Sequence, residues 1–143
     1  MDTQSIRSAI VAEALSWANT PYHHAARVKG AGVDCAQLLI GVFIEGLRLV
    51  PDVAPGDYPR DWMLHRDEER FLGALITHTH EVSAPRPGDI ALYRVGRCFA
   101  HAAIVLDWPE VIHACSHTGF VVRADGAQGW LAGRARRFFS VIE

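Results

Sequence analysis

Residues 34–44 read Asp-Cys-Ala-Gln-Leu-Leu-Ile-Gly-Val-Phe-Ile, an apolar run that opens with a carboxylate and a thiol. Asp34 is a favourable helix N-cap, and Gln37 stands three residues later, as in a capping box. Gly46 is a suitable residue for the helix to end on. Because the run is apolar on nearly every side, the pattern predicts a buried central helix that begins directly after Asp34.

The thiol of Cys35 would lie in the first turn of that helix, and this position bears on its chemistry. A thiol attacks a carbonyl carbon as the thiolate, and the unpaired N–H groups of a helix N-terminus favour that anion. The same N–H groups could receive the oxyanion of a tetrahedral intermediate. The carboxylate of Asp34 opposes the thiolate, so a positive partner is needed. We therefore expect Cys35 to be a nucleophile with a lowered pKa beside an imidazole.

The rest of the N-terminal half predicts two further helices and two irregular segments. Residues 4–18 carry apolar side chains at helical spacing, and Thr20-Pro21 ends that helix. A loop then runs to the glycines of residues 30–32. After an irregular, proline-rich segment at 51–60, residues 61–78 predict a charged helix.

The pattern changes from helix to strand after residue 87. Helices first and strands afterwards favour the α+β class, with helices packed on a mainly antiparallel sheet. The 143 residues fit a single domain, 1–143. The β-prone runs, separated by turn residues, are 90–94, 100–106, 111–115, 120–123 and 137–142.

Two histidines on the predicted strands are candidate partners for the thiol. His101 opens a strand whose neighbouring alanines leave space around its ring. Residues 107–110 predict the loop of a hairpin that joins this strand to the one that carries His113. The two histidines need not be direct cross-strand partners to lie on one face, where His113 would orient the His101 ring.

Five short motifs occur in an order that resembles a known family. They are Thr20-Pro21-Tyr22, Val33-Asp34-Cys35, Pro87-Gly88-Asp89-Ile90, the run from His101 to Leu106, and Ile112-His113-Ala114. The chain resembles the NlpC family of bacterial cell-wall cysteine peptidases over about residues 9–123. Each motif is weakly specific, but together they are specific. The resemblance implies a papain-like (NlpC-type) fold with the nucleophile at the N-terminus of the central helix.

The resemblance also implies roles for individual residues. Cys35 would be the nucleophile, His101 the general base and acid, and His113 the orienting residue. Tyr22 would hydrogen-bond near the oxyanion, and Asp34 would bind a substrate amine. The family's usual substrate is the peptidoglycan stem peptide, cut between D-glutamate (through its γ-carboxyl) and a diamino acid. We expect no cofactor and no metal.

The chain departs from the usual family pattern after the cysteine. Ala36 and Gln37 replace the small polar and glycine residues that usually stand there. This variation, with residues 57–62 before the charged helix, is similar to the phage-tail and gene-transfer-agent branch of the family. We therefore expect phage-type tail proteins as partners.

The start of the chain, residues 1–19, has neither a basic segment nor an apolar core of the kind found in a signal peptide. We expect synthesis in the cytoplasm without a signal peptide. The protein would be incorporated in a phage-like tail particle and act in the periplasm or cell wall.

The composition of the chain argues against a nucleic-acid-binding protein, a membrane-inserted protein and a disulfide-rich protein. A formal net charge of -2 offers no basic surface for nucleic acid. The longest apolar runs fall well short of the roughly 20 residues that a membrane-spanning helix needs, so we expect no membrane insertion. The three cysteines give no even disulfide framework and are interpreted as reduced thiols.

Two alternatives remain open at this point. The first is a non-catalytic tail assembly component with the same fold, because the changes at Ala36 and Gln37 could mark relaxed constraints. The second is a zinc-binding protein, which would leave the Asp34-Cys35 helix start without a purpose. Its candidate ligands are Cys98, His101, His113, Cys115 and His117.

Overall fold

A computed structural model describes residues 2–50 and 77–142 of the chain. The irregular segment predicted at 51–60 and most of the charged helix predicted at 61–78 lie outside the described residues. No helix in the described part is long and apolar enough to cross a membrane. The described part contains α1 (Thr3–Leu15), α2 (Cys35–Leu39), a π-helical continuation of α2 (Ile40–Gly46) and a short 3₁₀ helix (Gly129–Leu131).

The strands form one large sheet and one small one. They are β1 (Arg27–Val28), β2 (Gly32–Val33), β3 (His80–Val82), β4 (Ile90–Val95), β5 (Cys98–Asp107), β6 (Glu110–Cys115), β7 (Phe120–Asp125) and β8 (Arg136–Ser140). Six of them form an antiparallel sheet in the order β3-β8-β4-β5-β6-β7, and β1 pairs with β2. The α+β class with a mainly antiparallel sheet is therefore confirmed, and the five predicted runs correspond to β4–β8. That one domain spans the whole chain stays a prediction.

Helix α1 ends earlier than its apolar spacing predicts. The Asp2 carboxylate caps its start with a hydrogen bond of 2.7 Å to a backbone N–H. The helix stops at Leu15, before the predicted end at residue 18. Asn19 adopts a left-handed φ of 70°, and its N–H donates to the Val121 carbonyl of β7 at 2.9 Å. Because this contact ties the chain to the sheet, the backbone leaves the helical path.

A buried ion pair fixes α1 on β4. Arg7 Nη1 lies 2.7 Å from Asp89 Oδ1, and the two side chains are 6% and 2% exposed. The same nitrogen donates to the Pro87 carbonyl at 2.9 Å, and Asp89 Oδ2 accepts the Arg86 N–H at 2.8 Å. The Pro-Gly-Asp motif before β4 is therefore the attachment point of the first helix.

The two faces of the six-stranded sheet differ in what covers them. Side chains alternate between the faces along each strand. On one side, here called the helix face, Leu92 and Ile104 pack with the apolar residues of α1 and α2. On the other side, here called the aromatic face, Tyr93 belongs to a smaller cluster covered by Trp108 and Trp130. The central helix therefore approaches the sheet from one side only.

Helix α2 begins at Cys35, directly after its N-cap Asp34, as predicted. Asp34 Oδ1 accepts the Gln37 N–H at 2.9 Å, which is the first half of the predicted capping box. The second half is wrong, because the Gln37 side chain accepts a hydrogen bond from the Arg27 guanidinium of β1. Gln37 therefore ties the helix to the β1–β2 hairpin.

The helical segment ends at Gly46, as predicted, but its second part is π-helical. The Leu47 N–H donates to the Val42 carbonyl at 3.1 Å, an i→i+5 bond. Gly41 lies against the indole of Trp17, where a Cβ atom would stand only 2.5 Å from Trp17 Cζ2. Glycine at this position therefore allows the central helix to pack directly on the segment that follows α1.

Candidate active site

The loop of Thr20-Pro21-Tyr22 holds the start of α2 beside β7. The Val33 N–H donates to the Pro21 carbonyl at 3.0 Å, two residues before Cys35. The Tyr22 N–H donates to the Gly119 carbonyl at 2.7 Å, directly before β7. Tyr22 is half-buried against the helix-face cluster. The loop thus places Tyr22 near Cys35, and the oxyanion role of its hydroxyl stays a prediction.

The Asp34 carboxylate is a buried anchor for two segments. Oδ1 caps α2, as described, and Oδ2 accepts the Ala25 N–H at 2.7 Å. The ring nitrogen Nδ1 of His24 lies 3.9 Å from Oδ2. With 2% of the residue exposed, the carboxylate holds the loop onto the helix start. Its binding of a substrate amine stays a prediction.

The Cys35 thiol lies against the backbone of β5 on either side of His101. The Cys35 Sγ–H group donates a hydrogen bond to the Ala100 carbonyl, with 3.6 Å between sulfur and oxygen. The N–H of Ala102 also faces the sulfur. The residue is 9% exposed. The structure therefore brings the thiol to the strand position of His101, without a thiol–imidazole hydrogen bond among the described residues.

The expectation of a lowered thiol pKa is wrong for this arrangement. Burial, followed by the charge of the adjoining Asp34 carboxylate, raises the pKa of the Cys35 thiol to about 12. Hydrogen bonds from the backbone N–H groups of Ala102, Ala36 and Cys35 itself lower the pKa, but by less than burial and Asp34 raise it. At neutral pH the resting group is therefore the thiol.

The two predicted strand histidines are in direct contact. His101 Nε2 lies 2.8 Å from His113 Nδ1, and the rings are nearly perpendicular. The β5–β6 register pairs Ile104 with Ile112, so the histidines meet diagonally on one face, as the sequence analysis allowed. Both residues are buried, at 7% and 3% exposed. The structure therefore brings together the pair that was proposed as base and orienting residue.

Burial keeps both imidazoles neutral near pH 7. Burial, then the charges of His113 and Arg134, hold the pKa of His101 well below its ordinary value. Burial alone lowers the pKa of His113 to about 4. In a neutral pair, one nitrogen of the contact donates and the other accepts. If His101 Nε2 donates to His113, then His101 Nδ1 carries a lone pair and can accept a proton.

An indole packs against the candidate base on the aromatic face. The Trp130 ring meets the His101 ring edge to face, with centroids 5.0 Å apart and planes at 85°. The Arg134 guanidinium lies over the Trp130 indole, with Cζ 4.3 Å from the centroid of that ring. Neither Trp130 nor Arg134 is predicted from the sequence to belong to the site. Trp130 stands in an irregular segment after the last motif, and no spacing links it to the histidines.

A cavity of about 440 Å³ adjoins His113 between β6, β7 and the 3₁₀ helix. His113 and Trp130 line it, together with the polar side chains of His117, Arg123 and Asp125. The third predicted catalytic position therefore borders a space that part of a bound molecule can occupy.

The residues considered for a zinc site do not form a ligand cluster in the described structure. Cys115 is buried at 1% exposure, whereas His117 is exposed. The side chain of Cys98 lies outside the description. Across residues 2–50 and 77–142, no group of three or more His, Cys, Asp or Glu side chains is placed to hold a metal ion.

Comparison with known proteins finds similarity in structure and none in sequence. No family model and no curated protein matches the chain. NlpC1 from Trichomonas vaginalis matches with a TM-score of 0.69 and 14% identity, over 97% of this chain and 45% of that one. The peptidoglycan hydrolase RipB from Mycobacterium tuberculosis matches with a TM-score of 0.66 and 17% identity, over 98% and 66%.

A third match comes from an isolated domain of similar length. The NlpC/p60 domain of the peptidoglycan hydrolase SagA has a TM-score of 0.61 and 23% identity, over 92% of this chain and 96% of that domain. This chain thus spans about half the length of NlpC1 but nearly all of the SagA domain. Its fold is that of the NlpC/p60 domains.

Proposed function

We propose that this protein is a cysteine peptidase that hydrolyses peptidoglycan stem peptides. The observation that carries the proposal is the position of Cys35 Sγ on the backbone beside His101, whose Nε2 is engaged by His113 at 2.8 Å. This contact holds the imidazole and leaves Nδ1 to take a proton from the thiol. RipB and SagA, which share the fold, are named as peptidoglycan hydrolases, and this supports the substrate class.

Acylation starts from a neutral thiol and a neutral imidazole, because the Cys35 pKa is raised and the His101 pKa is lowered. When the scissile carbonyl binds, the Sγ proton passes to His101 Nδ1 as sulfur bonds to the carbonyl carbon. The carbonyl oxygen becomes an oxyanion, which the N–H groups near the thiol and the Tyr22 hydroxyl stabilise. His113 stabilises the imidazolium that forms.

Collapse of the intermediate breaks the carbon–nitrogen bond. The proton on His101 passes to the leaving amine, and the substrate acyl group remains on Cys35 as a thioester. A water molecule then gives a proton to His101 and attacks the thioester. The carbon–sulfur bond breaks as this proton passes from His101 to sulfur, which regenerates the thiol and the neutral imidazole. The bond proposed for cleavage joins the γ-carboxyl of D-glutamate to a diamino acid, and Asp34 binds a free amine of the substrate.

Digestion of a synthetic stem peptide, followed by mass spectrometry, tests this reaction. We expect Cys35→Ala and His101→Ala to lose at least about a thousandfold in kcat/KM while circular dichroism shows the native fold. Cys115→Ala is the comparison variant that removes the other described buried thiol, at the end of β6, and it should retain most of the activity. No cleavage by the wild type would favour a non-catalytic component of the same fold, and full activity in Cys35→Ala would exclude Cys35 as the nucleophile. Loss with EDTA and recovery with zinc would favour a metal enzyme.

We extend the proposal to a phage-type tail particle, in which the protein reaches the periplasm or cell wall beside tail proteins. The resemblance at Ala36 and Gln37 supports this, as do residues 57–62, which lie outside the described residues. Mass spectrometry of purified particles should detect the chain. Particles without it, together with stem-peptide cleavage by the free protein in the cytoplasm, would point to a peptidase that recycles wall peptides.

A further inference from the structure

Two tryptophans on the aromatic face have similar neighbours but touch different rings. Trp108 meets Phe138 edge to face, with centroids 4.9 Å apart, and Arg136 Cζ lies 5.7 Å from its centroid. Trp130 has the same kind of contact with His101 and lies closer to its arginine, Arg134. The two indoles are therefore alike in having an edge-to-face ring contact and a nearby arginine. They differ in the partner ring, because the imidazole of His101 can take up a proton and the phenyl ring of Phe138 cannot.

We propose that Trp130, held by Arg134, is a positioning residue that fixes the orientation of the His101 imidazole. The inference rests on the proposed function, in which Nδ1 must face the thiol and Nε2 must face His113. A ring flip would put the carbon Cδ2 in the place of Nδ1 and the carbon Cε1 in the place of Nε2, so both contacts would be lost. The hydrogen bond to His113 opposes the flip at one nitrogen. The Trp130 ring, nearly perpendicular to the imidazole and 5.0 Å from it between centroids, restricts rotation of the imidazole out of its plane, through which a flip must pass.

Trp130 also keeps water from the imidazole. Water at this position would offer alternative hydrogen bonds to both ring nitrogens and would allow both tautomers. The titratable groups around His101 are the Cys35 thiol beside β5, Tyr93 of β4, His113 of β6 and Arg134. Burial raises the pKa of Tyr93 to about 12, so its hydroxyl stays neutral. Burial and the charge of Arg134 then favour the neutral imidazole that the reaction needs.

The test is an NMR titration of protein labelled with ¹⁵N-histidine, in which His101 signals are assigned by their loss in His101→Gln. In the wild type we expect one neutral tautomer down to well below pH 6.5. Trp130→Ala should raise the His101 midpoint by about one pH unit and populate both tautomers. Trp130→Phe, which keeps an aromatic edge, should restore the single tautomer. Trp108→Ala, the matched control, should change neither.

Arg134 supplies a second, milder pair of variants. Arg134→Gln should raise the His101 midpoint by less than Trp130→Ala does, whereas Arg134→Lys should keep it near the wild-type value. If Trp130→Ala does not fold, Trp130→Leu takes its place. Unchanged His101 signals in folded Trp130 variants and in Arg134→Gln would overturn the proposal. Equal shifts in Trp108→Ala would also overturn it, because they would show general loosening of the face.

The readout separates this proposal from the proposed function, since the NMR titration needs no activity. If the wild type cleaves stem peptides, the acid limb of its kcat/KM profile should move upward in Trp130→Ala by the same amount as the NMR midpoint, with KM unchanged. If the wild type cleaves nothing, the peptidase proposal fails while the NMR result still decides whether Trp130 positions His101. A kcat loss with no movement of the acid limb or tautomer would reduce Trp130 to a structural residue.

Discussion

The helix face and the aromatic face of the sheet are both well packed, but they handle polar groups differently. On the helix face, the buried charges of Arg7 and Asp89 neutralise one another at 2.7 Å. On the aromatic face, the buried histidines carry no charge near pH 7 and share one hydrogen bond. One face therefore uses its polar groups to fix an element in place, and the other keeps polar groups that can still exchange a proton.

Cys35 connects the two faces. Its helix belongs to the helix-face packing, and its sulfur reaches the β5 backbone beside a histidine of the aromatic face. In the proposed reaction the nucleophile therefore comes from the apolar helix face, whereas the base comes from the face whose groups can titrate. Substitutions on each face should accordingly change different measurements.

The largest expected effect concerns the reactivity of the thiol. With its pKa raised to about 12, folded Cys35 should react with iodoacetamide at pH 8 about a thousandfold more slowly than the same cysteine in the unfolded chain. The rate should rise about tenfold per pH unit as the thiolate forms. Peptide mapping of labelled Cys35 measures it. Rapid labelling below pH 8 would show a preformed thiolate. It would contradict a resting state in which both Cys35 and His101 are neutral.

The second prediction tests the helix face. Asp89→Ala leaves the Arg7 charge buried without its partner and should lower the free energy of unfolding by about 3–5 kcal/mol. Glu110→Ala is the control, because its ion pair with Arg123 is exposed and should cost less than about 1 kcal/mol. Urea unfolding at pH 7.5 compares them. Similar losses in the free energy of unfolding would mean that the buried Arg7–Asp89 pair contributes no more to stability than an exposed ion pair does.

The third prediction tests the aromatic face with acid. Unfolded histidines titrate near pH 6.5, whereas the pKa of folded His113 is about 4 and that of His101 is also lowered. The unfolded state therefore binds more protons as the pH falls, and the stability present above pH 6.5 is progressively lost. His113 alone accounts for about 3 kcal/mol by pH 4. A His101→Gln/His113→Gln variant should show a flatter pH dependence in urea unfolding, and an unchanged slope would contradict the buried neutral pair.

The smallest expected effect concerns His113, the proposed orienting residue. His113→Ala should reduce kcat/KM for a stem peptide by about 10–100-fold, less than Cys35→Ala or His101→Ala, because water can partly replace the lost nitrogen. His113→Asn, which can still hydrogen-bond to His101, should recover part of the loss. Steady-state kinetics on the folded variants decides this. A loss as large as that of His101→Ala would make His113 a full partner in the proton transfer.

Much of the fold was accessible from the sequence because its signals are local. Asp34 begins α2 through its own side chain, and turn residues separate the runs that become β4–β7. The diagonal contact of His101 and His113 follows from a hairpin whose loop is visible at residues 107–110.

Other features depend on contacts between distant segments. Helix α1 stops early because Asn19 bonds to β7, and Gln37 turns to Arg27 of β1 rather than completing its capping box. The pKa of the Cys35 thiol depends on its burial in the folded protein, which the sequence pattern of a helix start does not predict. Trp130 reaches His101 through the path of the chain after β7, which no periodicity marks.

The position of β8 has a consequence for the order in which the chain folds. Strands β4 to β7 are joined by short connections and can pair as successive hairpins, whereas β8 must insert between β3 and β4, pairing Phe139 with Ile90. Contacts between residues so distant in sequence form late, because loop closure costs entropy before pairing compensates. Until then, one edge of β4 is unpaired and open to a neighbouring chain. We expect intermolecular aggregation during refolding to start at that edge, and to fall as the protein concentration is lowered.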